Sequence, residues 1–345
     1  MSKADVREAF RNQAIYCERS GTPVTAAVIR GIEAALDRST ETGRRALDWP
    51  GDPRGSGDSV PLRLAGGFHA LARGGADERL TALYAGRLEG SDAVVRDILR
   101  RFDAQLSPWL DSPPQTNETG RAGPIIAGLL VLAADYGLPF ELIELGASAG
   151  LNQNLDRFGY RLGDTEAGDP ASPLQIAPAW EGASPPPADV RIVARRAADQ
   201  APVPVADPAQ RERLIAYCWA DQRERMQRLE AALALAARHP PHVEKADAAD
   251  FVERVLADPQ QEGVCRVVFH TIFWTYLSSA TQTRIREALA RAGAQATRER
   301  PLAWLRYELN GQGGVAELRL QHWPGGGARH LATGHPHGSK VHWHG

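Results

Sequence analysis

The chain has 345 residues, 43% of them apolar, and a formal net charge of −2 at pH 7. That length allows one large domain or two ordinary ones, and the composition is that of a soluble globular protein. With so little net charge, no overall field favours nucleic acid or an anionic membrane.

Arginine supplies nearly all the positive charge, since the only lysines are Lys3, Lys245 and Lys340. With abundant Ala, Gly and Pro, this is the bias of a GC-rich genome. Along the chain the arginines do not cluster with aromatics, so a nucleic-acid partner is not expected. Cys17, Cys218 and Cys265 are far apart and odd in number. They suggest neither a disulfide framework nor a cysteine zinc site. The start, "MSKADVREAF", lacks a signal-peptide core, and "PIIAGLLVLAADYGLPF" is too short and too interrupted to span a bilayer comfortably. A cytoplasmic protein without a membrane partner is the expectation.

Residues 4 to 37 read as helices around an "SGTP" break, with Ser20 or Thr22 as the cap of the second. "ALDWPGDPRGSGDSVP" reads as a loop. "LRLAGGFHALARGG" and "ADERLTALYAG" read as short helices. In "DAVVRDILRRFDAQLSPWL", residues Val94, Val95, Ile98, Leu99 and Phe102 share one helical face. The first 110 or so residues offer no convincing strand. "DSPPQTNETGRAG" then reads as a polar inter-domain connection.

"PIIAGLLVLAADYG" predicts a helix opened by Pro124 and closed near Gly137. "FELIELG" predicts a strand and "LNQNLDRFG" the start of a helix. "YRLGD" and "LQIAPAW" suggest a hairpin, and "DVRIVARRAAD" a strand. "DPAQRERLIAYCWADQRERMQRLEAALALAARHP" predicts mainly one long helix with a break near Ala220. "HVEKAD" reads as a strand, "AADFVERVLAD" as a helix, and "CRVVFHTIFW" as the most apolar strand. "SSATQTRIREALARAG" reads as a serine-capped helix. "LAWLRYEL", "VAELRLQHW" and "RHLATGHPHGSKVHW" predict three closing strands. This alternation predicts an α/β fold, a doubly wound, mainly parallel sheet over 121–345, behind a helical region over 1–120.

The decisive stretch is "IELGASAG", residues 143 to 150. As G-A-S-A-G it fits the nucleophile elbow of a serine hydrolase using Ser148, with Asp247 or Asp250 as acid and His335 or His337 as base. That elbow belongs in mid-sheet after several strands, whereas the strand before Ser148 is the first convincing one. As an acid followed by a glycine-rich turn it fits a cofactor loop at the carboxyl end of a first strand. Gly146 and Gly150 supply unusual backbone angles and room, Ala147, Ser148 and Ala149 are small, and Glu144 is placed for an acidic contact. The spacing is not G-x-G-x-x-G, which argues against NAD.

"IELGASAGLN" resembles the first motif of class I S-adenosylmethionine-dependent methyltransferases. "RFGYRLGD", "CWADQRERMQRLEAA", "VVFHTIFWTYL" and "HPHGSKVHW" resemble an uncharacterised bacterial family, the domain of unknown function numbered 2332. The resemblance covers nearly the whole chain. It departs from the methyltransferase pattern at Ser148, where glycine is commoner, and at "FHT", where Asp, Asn or a Pro-rich signature often stands.

The resemblance implies a Rossmann-like, methyltransferase-type sheet with S-adenosylmethionine as cofactor and a small-molecule acceptor. It implies that Glu144 contacts the methionine amino group and that Asn152 orients the cofactor or caps a helix. Asp199 would bond the ribose hydroxyls and Asp247 would sit by the adenine amino group. His270, at a strand end facing the crevice, is the candidate base, and Trp274 and Tyr276 could wall a substrate pocket. A non-catalytic cofactor-binding module is a further alternative. The tail holds five histidines, with His335/His337 and His342/His344 each two apart. Turn chemistry explains them, and no metal is expected. The pattern does not reach the oligomeric state.

Overall fold

The computed structural model describes residues 5–88, 90–311 and 314–345. The chain divides into two compact units. One joins Met1–Thr116 to Asp207–Gln227; the other joins Asn117–Ala206 to Arg228–Gly345.

The first unit is helical, with no strand among its described residues. The helix Asp92–Arg101 shows why: Val94, Val95, Ile98 and Leu99 are buried on one face, while Arg96 and Arg100 stand in solvent. Each such apolar side chain contributes roughly 1.5–3 kcal/mol on full burial. The helix stops before Phe102, whose φ of −114° and ψ of 23° end it. The helical run expected over 207–240 breaks around Ala220 as its sequence suggests, into Pro208–Ala216 and Arg223–Arg238.

The second helix of this unit, Pro23–Ala35, is capped from far away. Thr22 occupies the cap position, but its hydroxyl donates to the Cys17 carbonyl (2.7 Å) and caps nothing. Asp221 instead accepts the Val24 and Thr25 N–H groups (2.9 Å each) and the Thr25 hydroxyl (2.7 Å). Orphan N–H groups at a helix start need such an acceptor. Asp221→Ala is therefore expected to lower the stability of this unit by about 1–3 kcal/mol. Urea unfolding followed by far-UV circular dichroism checks this; an unshifted midpoint would refute it.

The second unit carries the sheets. β1 is Phe140–Leu145. β2 (Gly159–Leu162), β3 (Thr165–Gly168) and β4 (Gln175–Ile176) form a small sheet in the order β3-β2-β4. The remaining strands are β5 (Ala179–Glu181), β6 (Ile192–Asp199), β7 (Glu244–Lys245), β8 (Cys265–Thr271), β9 (Leu302–Leu309), β10 (Ala316–Trp323), β11 (Arg329–Gly334) and β12 (Lys340–Trp343). With β1 they form a nine-stranded sheet in the order β5-β12-β11-β10-β9-β8-β1-β6-β7. β7, β6, β1, β8 and β9 run parallel. β10, β11 and β12 follow as an antiparallel meander, and β5 pairs parallel with β12. The architecture is thus mixed α/β with a large, mostly parallel central sheet.

All six residues of β1 are buried, as a central parallel strand covered on both faces requires. On one face the helix Ala122–Tyr136 lies so close that a Cβ at Gly128 would meet Leu305 at 2.5 Å. On the other, the helices Ala248–Ala257 and Ser279–Gly293 pack around Val268, Leu302 and Trp304. Among the described residues, no helix is long and apolar enough to cross a membrane.

Several local readings change. "LNQNLDRFG" is not an α-helix but a 3-10 segment, Leu151–Arg157, kinked at Asn154. β2 begins only two residues after that segment, which leaves no room for a longer helix. "YRLGD" forms its hairpin with the next strand, "TEAG", while "LQIAPAW" splits between the two sheets. The third closing run is two strands, turned at Gly338 with φ +71°. "DSPPQTNETGRAG" holds the boundary between the two units, after Thr116, while its later part is packed: Asn117, Glu118 and Thr119 are buried, and Arg121 Nε donates to the Pro336 carbonyl (2.9 Å).

Candidate functional site

From β1 the chain moves outward to β6 and β7, then returns to β8 on the other side of β1. The order therefore reverses between β1 and β8. At such a point the loops leaving the two carboxyl ends diverge and open a crevice. Those loops are Gly146–Gly150 and 272–278. Both are strained. Of the three non-glycine residues with positive φ among those described, Ser148 (+52°) and Ile272 (+48°) lie in them. Such conformations cost about 1–3 kcal/mol each and cluster at functional sites.

The first loop is tightly held. Gly146 and Ala147 N–H groups donate to the Ala198 carbonyl (2.9 and 3.1 Å). Asp199, at the end of β6, accepts the Ser148 N–H on Oδ2 (2.8 Å) and the Ala201 N–H on Oδ1 (2.9 Å). The Leu151 N–H, which a helix start would offer to a ligand, donates to Asn117 Oδ1 (2.8 Å). With a 3-10 segment and a consumed N–H, the loop is not a helix-terminus anion cradle.

The glycines have packing roles. Gly146 has φ +67°, and a Cβ there would lie 2.1 Å from Phe273 Cδ2. Gly150 has φ +71°, and a Cβ there would meet Val243 at 2.7 Å and Pro241 at 2.9 Å. The Phe273 ring, from the loop after β8, thus closes over Gly146 across the switch point.

Behind this loop lies a buried polar cluster. Glu144 is 3% exposed and accepts a hydrogen bond from Gln153 Nε2 on Oε2 (2.7 Å). Burial pushes its carboxyl from an ordinary 4.5 up to about 8, and the Asp199 charge adds to the rise, while Gln153 and Asn152 oppose it. Ser148 Oγ, Asn152 Oδ1 and Gln153 Oε1 are buried without a hydrogen-bond partner. Unmet buried polar atoms are expensive and rare in a finished core. All three can accept hydrogen bonds, and Gln153 and Asn152 meet the Glu144 carboxyl, so the cluster is suited to a compact, donor-rich cation.

The structure thus brings Glu144, Gly146, Ala147, Ser148, Gly150, Asn152 and Asp199 together on two adjacent strand ends. Asp247 follows β7, one strand farther out, where Oδ1 accepts the Ala249 and Asp250 N–H groups (2.9 and 3.2 Å) and caps a helix. Asp250 pairs with Arg284 (2.6 Å). No described imidazole hydrogen-bonds Ser148 Oγ.

His270, at the end of β8, is fully buried. Its Nε2 accepts from the Trp304 indole N–H (3.1 Å), which places the ring proton on Nδ1, 2.6 Å from Glu308 Oε1. Glu308 also accepts the Phe273 N–H (3.0 Å) and the Trp274 N–H (3.2 Å). Both ring nitrogens are engaged, so His270 would have to give up a bond to act as a base. In this arrangement it braces the loop that carries Phe273 and Trp274, and Trp274 stacks on it at 5.2 Å and 14°.

Sequence reading passed over Gln153, Asn117, Phe273, Trp304 and Glu308. Gln153 adjoins Asn152 in "LNQNLDRFG" and was open to the same reasoning. Glu308 and Trp304 carry no local signal, because their roles arise from the pairing of β8 with β9. In the tail, rings approach in the pairs His330/His344, His342/His344 and His335/His337 (4.6–5.1 Å). No metal-binding group of three or more His, Cys, Asp or Glu occurs among the described residues.

A family model described as "Uncharacterized protein conserved in bacteria (DUF2332)" matches residues 7–343. The chain belongs to that family. The match spans both units of this DUF2332 protein, so the helical unit is part of what defines the family. Comparison with curated proteins and with solved structures returns no significant match.

Proposed function

We propose that the α/β unit binds S-adenosylmethionine at the ends of β1 and β6 and is a methyltransferase for a small-molecule acceptor. The observation that carries this reading is the set of partnerless acceptors, Ser148 Oγ, Asn152 Oδ1 and Gln153 Oε1, of which Asn152 and Gln153 meet the buried Glu144. A primary ammonium, such as the methionine end of this cofactor, brings three donors and a positive charge. A phosphate would bring only more acceptors.

The residues fit the rest of that ligand as well. Each Asp199 oxygen accepts one backbone N–H and keeps a lone pair for a ribose hydroxyl. Asp247 stands beyond it on the adenine side. The cofactor supplies an electrophilic methyl group. The protein's share is to hold the reactants in line, where orientation does most of the work. Phe273 walls the crevice against water beside Gly146, and His270, through Glu308, is a positioning residue for its loop. The serine-hydrolase alternative lacks a base at Ser148 Oγ, and no observation favours it.

Calorimetric titration with S-adenosylmethionine and S-adenosylhomocysteine tests the reading. One-site saturable binding is expected, and Asn152→Ala should weaken it by about 10- to 150-fold, the value of a lost hydrogen bond to a charged group. Binding at pH 7 should also release protons, because a cation beside Glu144 draws its carboxyl back toward the ionised form. Absence of binding to the ligand-free protein would remove the assignment.

A further inference from the structure

The 272–278 loop has a second side, away from Gly146. There Trp274 meets Trp304 with ring centroids 5.5 Å apart. The Arg286 guanidinium lies 5.0 Å from the Trp274 ring, and the Arg306 guanidinium 3.9 Å from the Trp304 ring. Arg319 faces Arg306 across the β9–β10 pair. Spread along the chain, these arginines and tryptophans form no motif; the fold gathers them.

The charges here are not balanced. Arg266 is also buried, but its Nε meets Glu141 at 2.7 Å. Arg63 is buried too, and donates to the carbonyls of Asp58 and Leu110 (2.7 and 2.8 Å). Arg306 has a buried Nε without an acceptor, and no described carboxylate lies within ion-pair distance of it or of Arg286. The acid nearest on its own strand, Glu308, is committed to His270 and to the N–H groups of Phe273 and Trp274. Glu317 is taken by Arg319 at 2.7 Å. Burial, with the charges of Arg319 and Arg286 adding, pulls the Arg306 guanidinium down to about 10. A half-buried cation under that stress, with no carboxylate to pair with, is suited to an oxyanion.

We infer that Arg306 and Arg286, held against Trp304 and Trp274, form a binding site for a carboxylate or phosphate group of the methyl acceptor. The acceptor is then an acidic small molecule. Its anionic end would be anchored here, and the Phe273–His270–Trp274 stack joins this site to Gly146. The role as acceptor site rests on the methyltransferase reading; the oxyanion site itself does not.

The test is a titration of the full-length protein with sodium phosphate and with sodium succinate at constant ionic strength, followed by tryptophan emission. Trp274 and Trp304 report directly on the site. Saturable change with either anion is expected, and which anion acts distinguishes a phosphoryl from a carboxylate acceptor. Arg306→Met, which keeps the aliphatic stem on Trp304, should weaken binding at least about tenfold. Arg286→Gln, exposed on its helix, should weaken it about threefold. Arg329→Gln, an exposed arginine elsewhere in the unit, should leave it unchanged. No saturation with either anion, or unaltered binding in both Arg306→Met and Arg286→Gln, overturns the inference. No cofactor is present in this titration, so its outcome is separate from that of the calorimetry.

Discussion

Gly146→Ala is expected to destabilise the α/β unit by about 2–5 kcal/mol, with a lowered urea midpoint. Two effects add. The residue sits at φ +67°, where an L side chain is strained, and its new Cβ would lie 2.1 Å from Phe273 Cδ2. The second effect is shared with Phe273, so the two positions should couple. Phe273→Ala alone leaves a gap and should also destabilise. The double variant Gly146→Ala/Phe273→Ala should fall short of the sum by about 1–3 kcal/mol, as expected for neighbours in contact. Strict additivity would show that the ring does not seat on the glycine. The result also limits what a Gly146 variant can say about ligand binding, because it disturbs the fold before it reaches any ligand.

Glu144→Gln is expected to act in the opposite direction. Glu144 is raised from an ordinary 4.5 to about 8 by burial. Below pH 4.5 the carboxyl is protonated in both folded and unfolded chains and stability is unaffected. As pH rises from 4.5, the unfolded chain ionises while the buried group holds its proton, so stability falls. The loss reaches about 3 kcal/mol at pH 7 and levels off near 5 kcal/mol above pH 8, from a shift worth about 1.4 kcal/mol per unit. Gln can keep an acceptor toward Gln153 Nε2 and carries no charge. The variant should therefore melt higher than wild type at pH 7–8, with the two curves converging toward pH 4.5. The same change should weaken S-adenosylmethionine binding by about tenfold or more through loss of the charge facing its ammonium. Parallel pH profiles of the two proteins would rule out the buried acid as the source of the slope.

The strand β1, the turn Gly146–Gly150 and the neighbouring acids Glu144 and Asp199 were legible because their signals are local. A six-residue apolar run, closely spaced glycines and an acid at a strand end each depend on a few adjacent residues. The serine-capped helix Ser279–Gly293 was legible for the same reason, and Ser278 Oγ accepts the Thr281 N–H (3.1 Å). The misreadings share a different cause. The 3-10 segment after Gly150 stays short because β2 starts at Gly159, two residues past its end, and that limit is set by strand pairing rather than by the local residues. Thr22 looked like a cap and Asp221 is one. His270 looked available, yet Trp304 and Glu308 from the adjacent strand occupy both its nitrogens.

Hydrophobic period, glycine placement and composition were enough to specify a helical part, a mostly parallel sheet and the glycine-rich turn after its strand β1. These follow from backbone sterics and the burial of apolar faces, which act over a few residues. Strand order was beyond their reach, and with it the switch point, the membership of Asp207–Gln227 in the helical unit, the ring over Gly146 and the meeting of two arginines with two tryptophans. Those depend on which distant segments become neighbours, and burial, pairing and charge balance are properties of neighbours rather than of the residues alone.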